Sequence, residues 1–121
     1  MESLESVSGV LPAAGRLSLR DLSRAVRTRQ WAKNALIFAG FIFAGRLREP
    51  MPVLWSELSR VLLAFICFCA LSGFAYLIND WVDIERDRLH PLKKHRPLAA
   101  GRMSKHTALA LMILLFSVAA L

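Results

Sequence analysis

A chain of 121 residues has the length of one ordinary domain, yet 55% of it is hydrophobic and it carries a formal net charge of +7, from 16 Lys+Arg against 9 Asp+Glu. Long uncharged runs exclude a disordered chain, and two cysteines inside one apolar run, Cys67 and Cys69, exclude a disulfide scaffold. A nucleic-acid-binding domain would share the basic balance but not apolar blocks of this length, so the class that remains is an integral membrane protein with basic segments between its spans.

Residues 1–19 are rich in Ser, Gly and Ala, broken by Pro12 and Gly15, and predict a mobile leader. Their acidic start (Glu2, Glu5) and the lack of a following apolar stretch are unlike a secretion signal. Arg20, Arg24 and Arg27 then recur at helical spacing, with Arg29 and Lys33 beyond them and Asp21 as the one acid. That pattern predicts a short helix on an anionic lipid surface.

Three apolar blocks follow, predicting spans at about 31–45, 61–78 and 105–121 of an all-α membrane helix bundle that occupies residues 20–121. The first is short for a span and relies on Trp31 sitting in the headgroup layer. Pro50 and Pro52 predict a loop or re-entrant bend before the second. Gly101 predicts a turn, and Ser104 an N-cap for the third block. Gly40, Gly45, Ser72 and Gly73 are expected to let helices approach closely. The last block stops without a polar flank, which predicts either a piece of a longer protein or a last helix that finishes in the bilayer; a piece lacking further spans is expected to be inactive by itself. Basic residues crowd the N-terminal flank and residues 79–106 and are sparser over 46–60. Two crossings put the two crowded segments on one side, which the positive-inside rule makes cytoplasmic, in an inner cell membrane.

Chemistry concentrates where the second block ends, in Asn79-Asp80-Trp81-Val82-Asp83-Ile84-Glu85-Arg86-Asp87. On one straight helix Asn79, Asp80, Asp83 and Asp87 fall within an arc of about 100°. Crowded carboxylates repel, and a divalent cation on Asp80, Asp83 and Asp87 removes the repulsion. Oxygen ligands without Cys or His favour Mg²⁺, whose open positions take substrate phosphates. The competing reading is a solvated helix end, its acids paired with Arg86 and Arg88. Charge at membrane depth is costly and usually functional, which favours the metal site.

The next segment is His90-Pro91-Leu92-Lys93-Lys94-His95-Arg96-Pro97, a loop forced by its two prolines. Lys93 and Arg96 are placed to fold back over the acids and bind phosphate, whereas Lys94, Arg102 and Lys105 are expected only to face anionic lipid. Lys33 and Asn34 join the same site if the first two spans pack together. His90 is a turn or phosphate contact, and the three histidines form no metal set.

With those residues in view, the sequence resembles the UbiA superfamily of intramembrane prenyltransferases. Asn79-Asp80-x-x-Asp83-x-x-x-Asp87 is similar to its first aspartate-rich motif. Arg29-Gln30-Trp31-Ala32-Lys33-Asn34, and the run from His90 to Gly101, look like the decaprenyl-phosphate phosphoribosyltransferase branch. Thr28 stands where that branch often has proline. The resemblance covers roughly residues 25–121 and implies the first three of about nine transmembrane helices, with a second acidic motif in a later half. It implies Mg²⁺-dependent transfer of 5-phosphoribose from phosphoribosyl diphosphate to a polyprenyl (decaprenyl) phosphate, for cell-wall arabinan precursors. Asp80 and Asp83 would carry catalysis, with Asp80, Asp83 and Asp87 on the metal. Lys33, Asn34, Asn79, Lys93 and Arg96 would bind substrate. Two alternatives stand beside it: prenylation of an aromatic acceptor such as 4-hydroxybenzoate, and a non-catalytic membrane fragment. The partners expected are the two substrates, the lipid bilayer and, in a homo-oligomer, further copies of the chain, but no nucleic acid.

Overall fold

The computed structural model describes residues 16–121 and is helical throughout them, with no strand. The expected leader lies outside the described residues up to position 15. Helix α1 (Leu19–Val26) begins inside the segment assigned to that leader, because Ser18 and Asp21 form a capping box. The Ser18 Oγ accepts from the Asp21 N–H at 3.2 Å, and the Asp21 carboxylate accepts from the Ser18 N–H at 3.1 Å. Helix α1 buries Ala25 and Val26 and leaves Arg20 and Arg24 exposed, as its basic periodicity predicts.

Arg27 ends α1 in the left-handed region (φ 52°, ψ 55°) and so leaves the basic stripe. A 3₁₀ turn over Thr28–Gln30 leads into α2 (Trp31–Asn34) and α3 (Leu36–Phe43). The first apolar block is therefore two short helices, ended by Gly45 at φ +73°. Gly45 serves that backbone turn, and a Cβ at Gly40 would meet nothing within 4 Å, so neither glycine marks a close helix contact.

Helix α4 (Met51–Val82) has 32 residues and is the one helix among those described that is long and apolar enough to cross a membrane. The bend expected at Pro50–Pro52 is instead the start of this helix. Pro50 is the N-cap and Pro52 lies in the first turn, where an N–H has no partner to lose. Helix α4 stops at Asp83 (φ −94°, ψ 8°), and α5 (Ile84–Leu89) continues from it. Pro91 ends α5 by holding His90 extended (φ −87°, ψ 133°). Gly101 turns at φ +76°, and Ser104 caps α6 (Lys105–Ala119) by accepting from the Thr107 N–H at 3.1 Å.

Helices α1, α3 and α6 all pack on α4. The Phe38 and Phe65 rings meet at 5.3 Å between α3 and α4, and Phe74 and Phe116 at 5.5 Å between α4 and α6. Gly73 lies where α1 and α6 both press on α4: a Cβ there would stand 3.3 Å from Val26 Cβ and 3.4 Å from Leu115 Cδ1. The buried core gathers at the C-terminal end of α4, from Ala25, Leu77, Ile84, Leu98, Met103, Ala108 and Met112. Leu98 and Ala99 plug the loop after Arg96 into that core, and the Arg88 Nε–H bonds the Ala99 carbonyl at 3.1 Å. The loop is thus anchored below the site that it overhangs.

Candidate functional site

At the end of α4 the carboxylate of Asp80 is 4% exposed and that of Asp87 is 1% exposed. Such burial of charge demands partners. Arg96 supplies one for both: its Nη1 donates to Asp80 Oδ1 at 3.0 Å and to Asp87 Oδ2 at 2.9 Å. Arg27 supplies the second, its Nη2 donating to the same Asp80 Oδ1 at 2.9 Å. The Arg27 guanidinium lies over the Tyr76 ring, 4.2 Å from its centroid, one helical turn before Asp80. Arg24, Arg27, Arg96, Arg102 and His95 line an open cleft of about 600 Å³ with Asp80 in its wall.

Seven residues apart, Asp80 and Asp87 return to nearly the same face, and the Asp87 N–H bonds the Asp83 carbonyl at 2.7 Å across the break between α4 and α5. Asp83 itself stays outside the pair and lies 3.8 Å from Arg86. The straight-helix stripe does not foresee this, because it carries one phase through a residue whose backbone leaves the helix. Asn79 is exposed beside Asp80, and Lys93 is exposed on a 3₁₀ turn over Lys93–His95. His90 is a turn residue, its Nδ1 accepting from the N–H groups of Leu92 and Lys93 at 3.1 and 3.2 Å. Lys33 is exposed, and Asn34 turns the other way, donating to Ser72 Oγ at 3.3 Å and Cys69 Sγ at 3.6 Å. The two are not brought to the carboxylates: Ser72 precedes Asp80 on α4 by eight residues, about 12 Å of helix.

Arg102 is not the lipid-facing charge that its loop position suggests. Its Nε donates to Asp21 Oδ1 at 2.8 Å and its Nη2 to the His95 carbonyl at 2.7 Å, tying α1 to the loop along the cleft rim. This bond, with the Ser18 capping bonds, holds the Asp21 carboxyl down from its ordinary 3.8 to about 2. Arg27 and Arg102 are the site residues that sequence reasoning missed. Helical spacing put Arg27 on the lipid stripe, and nothing local marks a left-handed residue there.

No group of three or more His, Cys, Asp or Glu side chains converges on a metal position among the described residues. The Asp80–Asp87 pair nevertheless suits a hard cation. Mg²⁺ typically takes one or two carboxylates and keeps waters. Asp87 Oδ1 is buried with no hydrogen-bond partner among the described residues, so one acceptor of the pair is unused. Neither thiol nor imidazole lies among these donors to favour a softer ion.

The UbiA prenyltransferase family matches residues 31–121. The chain is 41% identical over 103 residues to the decaprenyl-phosphate phosphoribosyltransferase of Mycolicibacterium smegmatis, covering 83% of this chain and 32% of that protein. It is 31% identical over 105 residues to nodulation protein NoeC of Azorhizobium caulinodans, covering 86% and 32%. It is 33% identical over 103 residues to the digeranylgeranylglyceryl phosphate synthase of Sulfurisphaera tokodaii, covering 84% and 34%. The chain thus spans about a third of the length of the curated relatives that it matches. No solved structure matches it. An apolar helix that ends in a buried acidic pair under basic side chains, with a family match over three quarters of the chain, gives one conclusion: the chain belongs to the UbiA prenyltransferase family.

Proposed function

We propose that the intact protein is a multi-pass membrane transferase that moves 5-phosphoribose from phosphoribosyl diphosphate to a polyprenyl phosphate, releasing diphosphate on the cytoplasmic side of the cell membrane. The observation that carries this reading is the buried Asp80–Asp87 pair, bridged by Arg96 at the base of an arginine-lined cleft. A donor with a diphosphate and a sugar phosphate brings several negative charges, and guanidinium groups meet phosphates through paired N–H donors. The likeness to decaprenyl-phosphate phosphoribosyltransferases supports this donor and acceptor.

Asp80 and Asp87 would hold Mg²⁺, with Asp83 at the helix break beside them. When bound, Mg²⁺ supplies neutralisation of the departing diphosphate. The chain's own residues do the rest. Arg27, Arg96 and Lys93 stabilise phosphate charge as the C1–O bond of the ribosyl donor opens and positive charge develops on the sugar. Asn79 orients the donor from its exposed position beside Asp80. Lys33, exposed on α2, offers its charge to the substrate from outside the carboxylate site, while Asn34 fixes the α2–α4 contact. The acceptor phosphate is already an anion and attacks C1 without a strong general base. A role in cell-wall precursor synthesis rests on the resemblance to the decaprenyl-phosphate phosphoribosyltransferase branch. Residues 31–45, 61–78 and 105–121 would supply the first three spans of the family's bundle, the second of them within α4.

The test is turnover by the intact protein with labelled phosphoribosyl diphosphate and polyprenyl phosphate. Asp80→Asn should abolish Mg²⁺-dependent transfer, a loss of at least about a hundredfold, and leave membrane insertion unchanged. Transfer only to an aromatic acid would overturn the choice of substrates. Unchanged turnover in Asp80→Asn would reduce the acids to a structural ion-pair network with Arg27 and Arg96.

A further inference from the structure

Asp80 and Asp87 bring two negative charges into a nearly closed space, and Arg27 and Arg96 bring two positive ones. The four side chains are therefore neutral together, and a divalent cation carries the same charge as the two guanidinium groups. Both arginines take the same oxygen, Asp80 Oδ1, at 2.9 and 3.0 Å, and Arg96 also takes Asp87 Oδ2. A cation on these carboxylates would sit within a few ångströms of both guanidinium groups, and like charges that close exclude one another. Asp87 Oδ1, buried and unpartnered among the described residues, is an acceptor that neither arginine occupies.

The arginines are also mounted to move. Neither belongs to α4 or α5, which carry the acids. Arg27 hangs from the left-handed end of α1, and Arg96 from extended backbone (φ −62°, ψ 142°) that follows a 3₁₀ turn. Each side chain is 26% exposed and lines the cleft, so a change of rotamer carries its charge into open space without shifting a helix. Arg24, Arg102 and His95 surround that space, so an arginine released into it meets repulsion until an anion enters.

We infer that Arg27 and Arg96 are resident counter-ions that a divalent cation displaces from Asp80 and Asp87, and that the displaced pair then clamps a diphosphate group in the cleft. Cation and diphosphate thus bind with positive coupling, each clearing the other's site. This inference rests on the reading of the acidic pair as the metal site. Coupling of this kind is reciprocal, so either half can be measured with one ligand alone.

The experiment uses the protein in lipid nanodiscs, with Mn²⁺ binding followed by electron paramagnetic resonance and metal-free binding of labelled inorganic diphosphate measured separately. Arg27→Gln should tighten Mn²⁺ binding by about five- to a hundredfold, because one competitor is gone. Arg27→Gly, which suits the left-handed backbone and guards against misfolding, should do the same, and Arg27→Lys should stay near the parent. Asp80→Asn should tighten diphosphate binding without metal, because it frees Arg27 and leaves Arg96 held by Asp87 alone. Mn²⁺ binding that is lost in Asp80→Asn but unchanged or weaker in both Arg27→Gln and Arg27→Gly would overturn the inference and keep the metal site. No Mn²⁺ binding by the parent protein, or equal binding by Asp80→Asn, would overturn the metal-site reading, and the inference with it.

Discussion

Asp21 and Arg102 sit 81 positions apart and close the cleft rim with one charged hydrogen bond. Because the Asp21 carboxyl is held at about 2 in the fold against 3.8 ordinarily, its contribution is complete above about pH 4 and is lost as pH falls toward 2. A spin label on exposed Leu19 should therefore report a docked α1 unchanged from about pH 8 to 5 and released only in strong acid; release near neutrality would show that another group holds it. Arg102→Gln should loosen α1 at every pH. Single residues were legible in the sequence where a motif carried them: Asp80, Asp87 and Arg96 were all nominated, and all three meet. Arg27 was not legible, because its role comes from a backbone angle rather than from its neighbours in sequence. Asn34 was misplaced because residue type alone cannot say which way a side chain turns.

Gly73 shows how one element sets another. It admits Val26 of α1 and Leu115 of α6 against α4, and a larger side chain must push one of them away. Gly73→Leu should destabilise the protein by about 1–3 kcal/mol, the usual range for overpacking. It should also weaken the approach of Arg27 to Asp80, since Arg27 follows Val26. Thermal unfolding in nanodiscs checks the first effect and cross-linking between positions 27 and 80 the second. Existence and type of the helices were legible from apolar runs and caps, Ser104 most clearly. Their boundaries were less so. Two prolines are breakers in a helix interior but are compatible with its first turn, and the sequence does not say which applies. The break at Asp83 is equally hidden, although Trp81, Val82 and Asp83 are all modest helix formers.

Across the whole molecule, α1 and the loop from His90 to Ser104 meet at the C-terminal end of α4, while Pro50 lies at its other end. Both crowded basic segments thus sit at one end of α4, and loop charges predict that this end is cytoplasmic. A reporter fused after Gly101 should read cytoplasmic and one near Pro52 exterior; the reverse pattern would overturn the topology. Helix α4, at 32 residues, extends about 48 Å, but its uncharged run, residues 61–78, covers about 27 Å, close to a hydrocarbon layer of about 30 Å. The turns that carry Glu57 and Arg60 at one end and Asp80 at the other fall at or beyond the edges of that layer. Asp80 rides near the upper end of α4, whereas Arg27 is borne by a helix whose exposed basic face suits the headgroup layer. The Asp80 carboxylate therefore stands within about one turn of the hydrocarbon edge, where a thicker bilayer would cover it first.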